Sequence, residues 1–133
     1  KRVIKDLKVD KYDFVLANFA APDMVGHTGN LEAGIKAVEL VDKSVGQIIK
    51  ATLAKQGTVI ITADHGNVEE MINLKTREID TEHSINPVPF IIVNHHDFKL
   101  RANGKLANIA PTILDILNIK KPKLISEKSL IIK

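Results

Sequence analysis

Aspartate and histidine residues gather in two short segments that are far apart in the sequence and contain glycines. The first segment contains Asp23 and His27, and the second contains Asp64 followed directly by His65. Carboxylate oxygen and imidazole nitrogen are donors that Zn²⁺ or Mn²⁺ accepts at about 2.0 to 2.2 Å. The chain has no cysteine, which excludes a thiolate site and a disulfide framework. These residue types therefore indicate a divalent metal site with oxygen and nitrogen ligands.

A third segment, residues 81–83, ends in a further histidine. Two histidines and one carboxylate on one ion would leave coordination positions open for a substrate. Simpler interpretations exist for each group. Asp23 could cap a helix, Asp64 could form a turn with Gly66, and His83 could be a solvated loop residue. Their joint occurrence favours a metal site.

Apolar patterns predict the elements that position the first two segments. Tyr12–Phe19 is a short apolar run, typical of a strand that is buried on both faces. Leu31–Leu53 has the apolar spacing of a long amphipathic helix, Gly57 is a candidate C-terminal cap, and residues 58–62 form a second strand run. A strand, a helix and a strand predict a parallel crossover. Both Asp/His segments would then lie at strand C-terminal ends, where open parallel sheets bind ligands.

The second half of the chain continues the same pattern. Val88–Val93 predicts a third strand, placed near a sheet margin by Pro89. Leu106–Leu117 has the apolar spacing of a helix. Pro111 is compatible with it only if the regular helix begins close to that residue. Ser129–Ile132 could add an edge strand. The order of elements predicts an α/β fold with one layered system and a mostly parallel sheet, without a convincing linker.

Composition limits the classes of protein that the chain can represent. Its 133 residues, with 44% hydrophobic and 26% charged residues, suit one globular domain. The net charge of +3 comes with only 4% aromatic residues and no basic stripe between stacking rings, so we expect no nucleic-acid partner. No membrane-spanning or export segment is visible, and we expect no membrane partner and a cytoplasmic location.

Four stretches resemble one family, the cofactor-independent (2,3-bisphosphoglycerate-independent) phosphoglycerate mutases. Residues 18–29, Asn-Phe-Ala-Ala-Pro-Asp-Met-Val-Gly-His-Thr-Gly, are similar to one signature of that family. Residues 62–71, Thr-Ala-Asp-His-Gly-Asn-Val-Glu-Glu-Met, are similar to a second. Residues 83–90 and 106–114 match in the family's order, so the resemblance covers nearly the whole chain. Ala21 departs from the asparagine that the family carries there.

The resemblance implies an alkaline-phosphatase-like, three-layer α/β fold that is incomplete in this chain. It also implies two divalent metal ions, usually manganese, with Asp23, His27 and His83 at one ion. Asp64 and His65 would hold the other. In such enzymes a serine is transiently phosphorylated while phosphate moves between the 3- and 2-positions of glycerate, a step of glycolysis and gluconeogenesis. The implied substrate is thus a small phosphorylated three-carbon acid.

Other parts of the family's machinery have no counterpart in the sequence. The family's nucleophilic serine and its inserted, substrate-clamping domain match nothing here, and no serine has the nucleophile's context. The serines compared are Ser44, Ser84, Ser126 and Ser129. We therefore expect residues 1–133 to be the C-terminal part of the metal-binding domain, without catalytic residues and inactive alone. The whole enzyme would be a monomer, while this part could self-associate through exposed apolar surface.

Two other functions stay open on the sequence. One is another enzyme of the same superfamily, a phosphopentomutase or a metal-dependent phosphatase, because paired Asp and His ligands after strands are shared across that group. The other is a non-catalytic structural domain that keeps ligand-like residues. The long glycine and histidine signature of residues 26–29 favours the mutase.

Overall fold

The computed structural model describes residues 2–9 and 11–132 and divides into two compact units. The first unit ends at His95 and the second begins at His96, within the polar loop after the third predicted strand. The helices and strands, in chain order, are α1 (Arg2–Lys8), α2 (Ala21–Gly26), α3 (Leu31–Leu53), β1 (Val59–Thr62), β2 (Phe90–Val93) and α4 (Ile109–Ile116). Short 3-10 helices cover Val68–Glu70 and Leu106–Asn108. Across residues 2–9 and 11–132, no helix has the length and apolar character that crossing a membrane requires.

Helix α3 confirms the prediction made from apolar spacing, with the same bounds. Asn30 caps its start, because the Asn30 side-chain oxygen accepts the Ala33 N–H at 3.0 Å. At its end Gln56 adopts a left-handed conformation with φ of 56°, and the Gly57 N–H donates to Thr52 O at 3.0 Å. In this Schellman ending Gln56, not the predicted Gly57, reverses the chain. A Cβ at Gly57 would lie only 2.7 Å from Thr52 Cγ2, which explains the glycine.

Small residues on α3 let the segment after β1 approach closely. Gly34 and Ala37 are buried, and a Cβ at Gly34 would lie 2.6 Å from Met71 Sδ. Met71 is 2% exposed, so its flexible thioether fills the space that the glycine leaves. Helix α2 packs against α3 and also contacts the 3-10 helix Val68–Glu70. This packing brings the chain that follows β1 next to the helix that carries Asp23.

The sheet differs from the prediction in its pairing. Strands β1 and β2 pair antiparallel, with Val59 opposite Val93 and Thr62 opposite Phe90. The predicted strand Tyr12–Phe19 is not a strand, and its residues are exposed. A strand is defined by its ladder, and no described segment pairs with residues 12–19. The predicted parallel crossover is therefore wrong for the residues described.

The second unit is organised around the start of α4. Pro111 lies in the first turn of α4 and is buried, as the sequence required. Thr112 is fully buried; its Oγ1 donates to Asn108 O at 2.7 Å and accepts the Leu130 N–H at 2.8 Å. The predicted edge strand Ser129–Ile132 is wrong, because this segment makes only an isolated antiparallel bridge to Leu100. Thr112 thus joins the helix start to the C-terminal segment.

Candidate metal centre

Helix α2 carries Asp23, and His27 is the cap residue at its C-terminal end. The two residues are four positions apart, which puts them one helical turn from each other. Asp23 Oδ1 lies 3.3 Å from His27 Nε2. Pro22 suits the first turn, where its missing N–H is not needed. Gly26 is buried between the pair, and any side chain there would overlap the amide of Asn67.

His83 joins this pair from a distant part of the chain. Its Nε2 lies 3.2 Å from Asp23 Oδ1 and 3.1 Å from His27 Nε2. Among the residues that the structure describes, these three form the one group of His, Cys, Asp or Glu whose donor atoms converge as a shared ion requires. Ligand bonds of about 2.1 Å separate neighbouring ligands by about 3.0 Å in octahedral and about 3.4 Å in tetrahedral geometry. The observed separations fit a divalent cation.

The hydrogen-bond partner of His27 leaves one ring nitrogen free to accept a cation. His27 Nδ1 lies 2.7 Å from Thr81 O. A carbonyl oxygen only accepts, so Nδ1 carries the hydrogen and Nε2 of the neutral ring keeps its lone pair. Metal-binding histidines use carbonyl partners of this kind to fix their tautomer and orientation. The loop that supplies His83 therefore also orients His27.

Asn67 is a buried polar residue in contact with the same group. It is 5% exposed, its Nδ2 donates to Asp23 Oδ1 at 3.1 Å, and this nitrogen lies 3.4 Å from His27 Nε2. Leaving a buried amide without partners costs about 1–3 kcal/mol, so the contact restrains both side chains. The amide of Asn67 holds the carboxylate of Asp23 in place.

Glu69 holds the backbone around Asn67. Its Oε2 accepts the Asn67 N–H at 2.7 Å, and its Oε1 accepts from the Ser84 hydroxyl and from Asn86 Nδ2, the latter at 3.1 Å. Burial by itself would raise the pKa of Glu69, but the hydrogen bonds, that from Ser84 foremost, outweigh it and lower the pKa from 4.5 to about 2. Glu69 is therefore an ionised acceptor at neutral pH.

Asp64 and His65 follow β1 but belong to no such group of three within residues 2–9 and 11–132. The His65 ring stacks on that of His83, with centroids 3.9 Å apart and an interplanar angle of 26°. His65 Nε2 lies 3.8 Å from Asp64 Oδ2, and the Asp64 side chain is 83% exposed. The structure thus brings His65 against the three-residue group and leaves the carboxylate of Asp64 facing solvent. A ligand role for this pair stays a prediction.

Three contributors to the site were not predicted from the sequence: Asn67, Glu69 and Thr81. Asn67 and Glu69 lie inside the second signature segment, so polar residues directly after a predicted ligand pair were the available signal. Thr81 acts through its carbonyl oxygen, which every residue has. No side-chain pattern could have indicated it.

A cavity of about 210 Å³ opens beside the group. Its lining residues are Glu70, Asp80, Glu82, His83, Ser84 and Ile85. Three of the six carry carboxylates, which repel an anion brought near them. The described residues at this cavity do not by themselves form a phosphate-binding surface.

Comparison with known proteins shows the family to which the chain belongs. The model of the Metalloenzyme superfamily matches residues 1–121. The 2,3-bisphosphoglycerate-independent phosphoglycerate mutase of Clostridium botulinum is 52% identical over 130 residues, which cover 98% of this chain and 26% of that protein. The corresponding mutase 2 of Methanosarcina barkeri is 51% identical over 131 residues, covering 98% and 25%. A structure of Leishmania mexicana phosphoglycerate mutase at low cobalt concentration matches with a TM-score of 0.89 and 34% identity, covering 98% of this chain and 27% of that one.

The chain belongs to the metalloenzyme superfamily. Over nearly its whole length it is similar to the 2,3-bisphosphoglycerate-independent phosphoglycerate mutases, which confirms the resemblance of the sequence motifs. It spans about a quarter of the length of the curated relatives that it matches. The structural match confirms the alkaline-phosphatase-like α/β fold class, of which the chain holds a part.

Proposed function

We propose that this chain is the metal-holding part of a 2,3-bisphosphoglycerate-independent phosphoglycerate mutase. The observation that carries the proposal is the convergence of Asp23 Oδ1, His27 Nε2 and His83 Nε2 within 3.3 Å of one another. The parent enzyme would interconvert 3-phosphoglycerate and 2-phosphoglycerate through a phosphoserine. Relatives that carry this enzyme's name and are 47–52% identical to the chain support the reaction.

Asp23, His27 and His83 would hold one divalent ion, and Asp64 with His65 would contribute to a second. Manganese is the proposed metal, and the low cobalt concentration described for the Leishmania structure is consistent with a divalent ion. Bound ions of this kind lower the pKa of a hydroxyl nucleophile and offset the negative charge of phosphoryl oxygens. The stacking of His65 on His83 supports a second ion close to the first.

Other residues of this chain orient the proposed metal ligands. Thr81 O holds the hydrogen of His27 on Nδ1, so that Nε2 stays available as a donor. Asn67 orients the carboxylate of Asp23 through Nδ2. The carboxylate-lined cavity beside His83 supports the expectation that cationic, substrate-clamping groups come from outside residues 1–133. We accordingly propose that these residues are the C-terminal part of a cytoplasmic enzyme's metal-binding domain.

The two other functions considered from the sequence receive less support. A phosphopentomutase or a metal-dependent phosphatase could use the same ligand types, but the relatives described above are named as phosphoglycerate mutases. A purely structural domain would not require His27 to keep an acceptor nitrogen next to a carboxylate and a second histidine. Metal binding distinguishes a structural domain from the proposal.

Calorimetric titration with Mn²⁺ tests the proposal. We expect His27→Ala to weaken Mn²⁺ binding at least about tenfold, because it removes one of three ligands from an ion. His95→Ala is the matched control, since His95 is exposed and its Nε2 contacts only Leu53 O among the contacts described for it. This control should bind within about twofold of wild type. Equal binding by wild type and His27→Ala would contradict the proposed site.

A further inference from the structure

We propose that Glu69 is a positioning residue of the metal centre, which clamps the loop of His83 onto the turn of Asn67. The inference rests on the proposed metal binding and deepens it, because it assigns a role to a residue that contacts none of the three donor atoms in the contacts described. It concerns how two distant segments are kept in register.

The contacts of Glu69 reach both segments. On one side its Oε2 accepts the Asn67 N–H at 2.7 Å. On the other side its Oε1 accepts from the Ser84 hydroxyl and from Asn86 Nδ2. Ser84 follows His83 directly in the sequence, and Asn67 contacts Asp23. The Glu69 carboxylate is therefore hydrogen-bonded to a residue next to each of these two proposed ligands. Loss of this carboxylate would remove the side-chain contacts that hold the His83 loop at its C-terminal side.

The backbone near Glu69 leaves room for the contact between its carboxylate and Ser84. Gly66 and Ser84 form an isolated antiparallel bridge, in which the Ser84 N–H donates to Gly66 O at 2.9 Å. A Cβ at Gly66 would overlap both the Ser84 hydroxyl and a carboxylate oxygen of Glu69. The glycine therefore leaves room for the side-chain contact that lies beside the bridge. Two independent features, the bridge and the clamp, join the same two segments.

The clamp extends to the donors through Asn67. Glu69 fixes the backbone N–H of Asn67, and the buried side chain of Asn67 donates to Asp23 Oδ1 at 3.1 Å. Asp23 and His83 are thus positioned from a single point, although the two residues are sixty positions apart in the sequence. In metal sites, outer partners of this type change metal affinity by about 10- to 100-fold when they are removed.

Substitution by glutamine isolates the role of the carboxylate. Glu69 uses both oxygens as acceptors, toward three donors. Glutamine has nearly the same size but offers one acceptor oxygen and one NH₂ group. In either orientation its NH₂ group would point at an N–H donor, either the Asn67 N–H or Asn86 Nδ2. Glu70→Gln is the matched control, because Glu70 accepts from a single donor in the bonds described, Asn86 Nδ2 at 2.8 Å, and the glutamine oxygen can accept that same bond.

The experiment compares Mn²⁺ affinity by calorimetry and the visible absorption spectrum of bound Co²⁺ in wild type, Glu69→Gln and Glu70→Gln. The proposal predicts that Glu69→Gln weakens Mn²⁺ binding about tenfold and alters the Co²⁺ spectrum, which reports ligand geometry. Glu70→Gln should stay within about twofold of wild type with the same spectrum. A merely structural role would lower the melting temperature of the metal-free protein but leave the Co²⁺ spectrum unchanged.

Wild-type affinity and spectrum in Glu69→Gln, together with weak binding by His27→Ala, would overturn this inference and leave the metal centre standing. Equal binding by wild type and His27→Ala would overturn the metal centre, and the inference with it. If Glu69→Gln does not fold, Ser84→Ala decides the matter, because it removes one donor of the clamp. A loss of Mn²⁺ affinity of about threefold or more supports the clamp, and unchanged affinity overturns it.

Discussion

The Nε2 atoms of His27 and His83 lie 3.1 Å apart, although the residues are fifty-six positions apart in the sequence. Because His27 donates a ring hydrogen from Nδ1 to Thr81 O, Nε2 of the neutral ring carries the lone pair. Asp23 Oδ1 is a further acceptor, within 3.3 Å of both nitrogens. A divalent cation can bind one lone pair of each of these three atoms at the same time, which makes this contact the physical basis of the proposed site.

Gly26→Ala should disrupt the site through Asn67. A methyl group at this position would overlap Asn67 Oδ1, so the amide must move away from Asp23. Overpacking of this kind costs about 1–3 kcal/mol of unfolding free energy, and Mn²⁺ binding should weaken with it. Urea denaturation and calorimetry measure the two effects.

Gly46→Ala is the control for that substitution. Gly46 lies inside α3, and a Cβ there meets no atom within 4 Å. Alanine should raise the unfolding free energy by about 0.5–1 kcal/mol, because it reduces backbone freedom in the unfolded chain. Equal stability changes in both variants would contradict the assigned role of Gly26.

Glu69 should make the stability of the chain depend on pH in acid. Its folded pKa of about 2 lies below the ordinary value of 4.5, so its contribution is complete above about pH 4.5 and is lost as the pH falls toward 2. Solvent screening of this exposed side chain limits the contribution to about 1 kcal/mol. The difference in unfolding free energy between wild type and Glu69→Gln should therefore shrink from pH 6 to pH 3. A constant difference would argue against an ionised clamp.

The sequence predicted the parts of the fold that depend on local pattern. The bounds of α3 followed from apolar spacing, and the requirement that α4 begin near Pro111 followed from the geometry of proline. The strand at Tyr12–Phe19 was wrong, because an apolar run predicts burial but cannot show that a pairing partner is present. The antiparallel pairing of β1 and β2 also depends on contacts between distant residues.

For the candidate site, the proposed ligands were predicted but their supporting contacts were not. The family resemblance implied that Asp23, His27 and His83 share an ion, and the structure brings these three together. The supporting contacts were not predictable in the same way. The acceptor for His27 is the backbone carbonyl of Thr81, and Glu69 acts through hydrogen bonds that form only when two separate segments meet.

The 133-residue chain should show no phosphoglycerate mutase activity. Nucleophile and phosphate-positioning groups each supply large parts of the barrier reduction, and neither has a recognised counterpart in this sequence. A coupled assay for 2-phosphoglycerate formation from 3-phosphoglycerate, with added Mn²⁺, should give the rate of a protein-free blank. If the purified wild-type chain turned over 3-phosphoglycerate and His27→Ala did not, this expectation would be contradicted.

The exposed apolar segment Tyr12–Phe19 should drive self-association of the chain. Leu16 is 83% exposed within a run of other exposed apolar residues, and contiguous apolar surface favours association in water. Sedimentation velocity over a concentration series should show species larger than the monomer, and Leu16→Lys should reduce them. Leu124→Lys, at a residue 99% exposed outside this run, is the control and should leave the distribution unchanged. A wild-type chain that stays monomeric at all concentrations would refute the prediction.

Anomalous diffraction from Mn²⁺-soaked crystals of this chain, recorded at the manganese absorption edge, tests the metal centre most directly. We predict a peak about 2.0–2.2 Å from Asp23 Oδ1, His27 Nε2 and His83 Nε2. A peak coordinated by other residues, or no peak among these three atoms at saturating Mn²⁺, would contradict the assignment of the site.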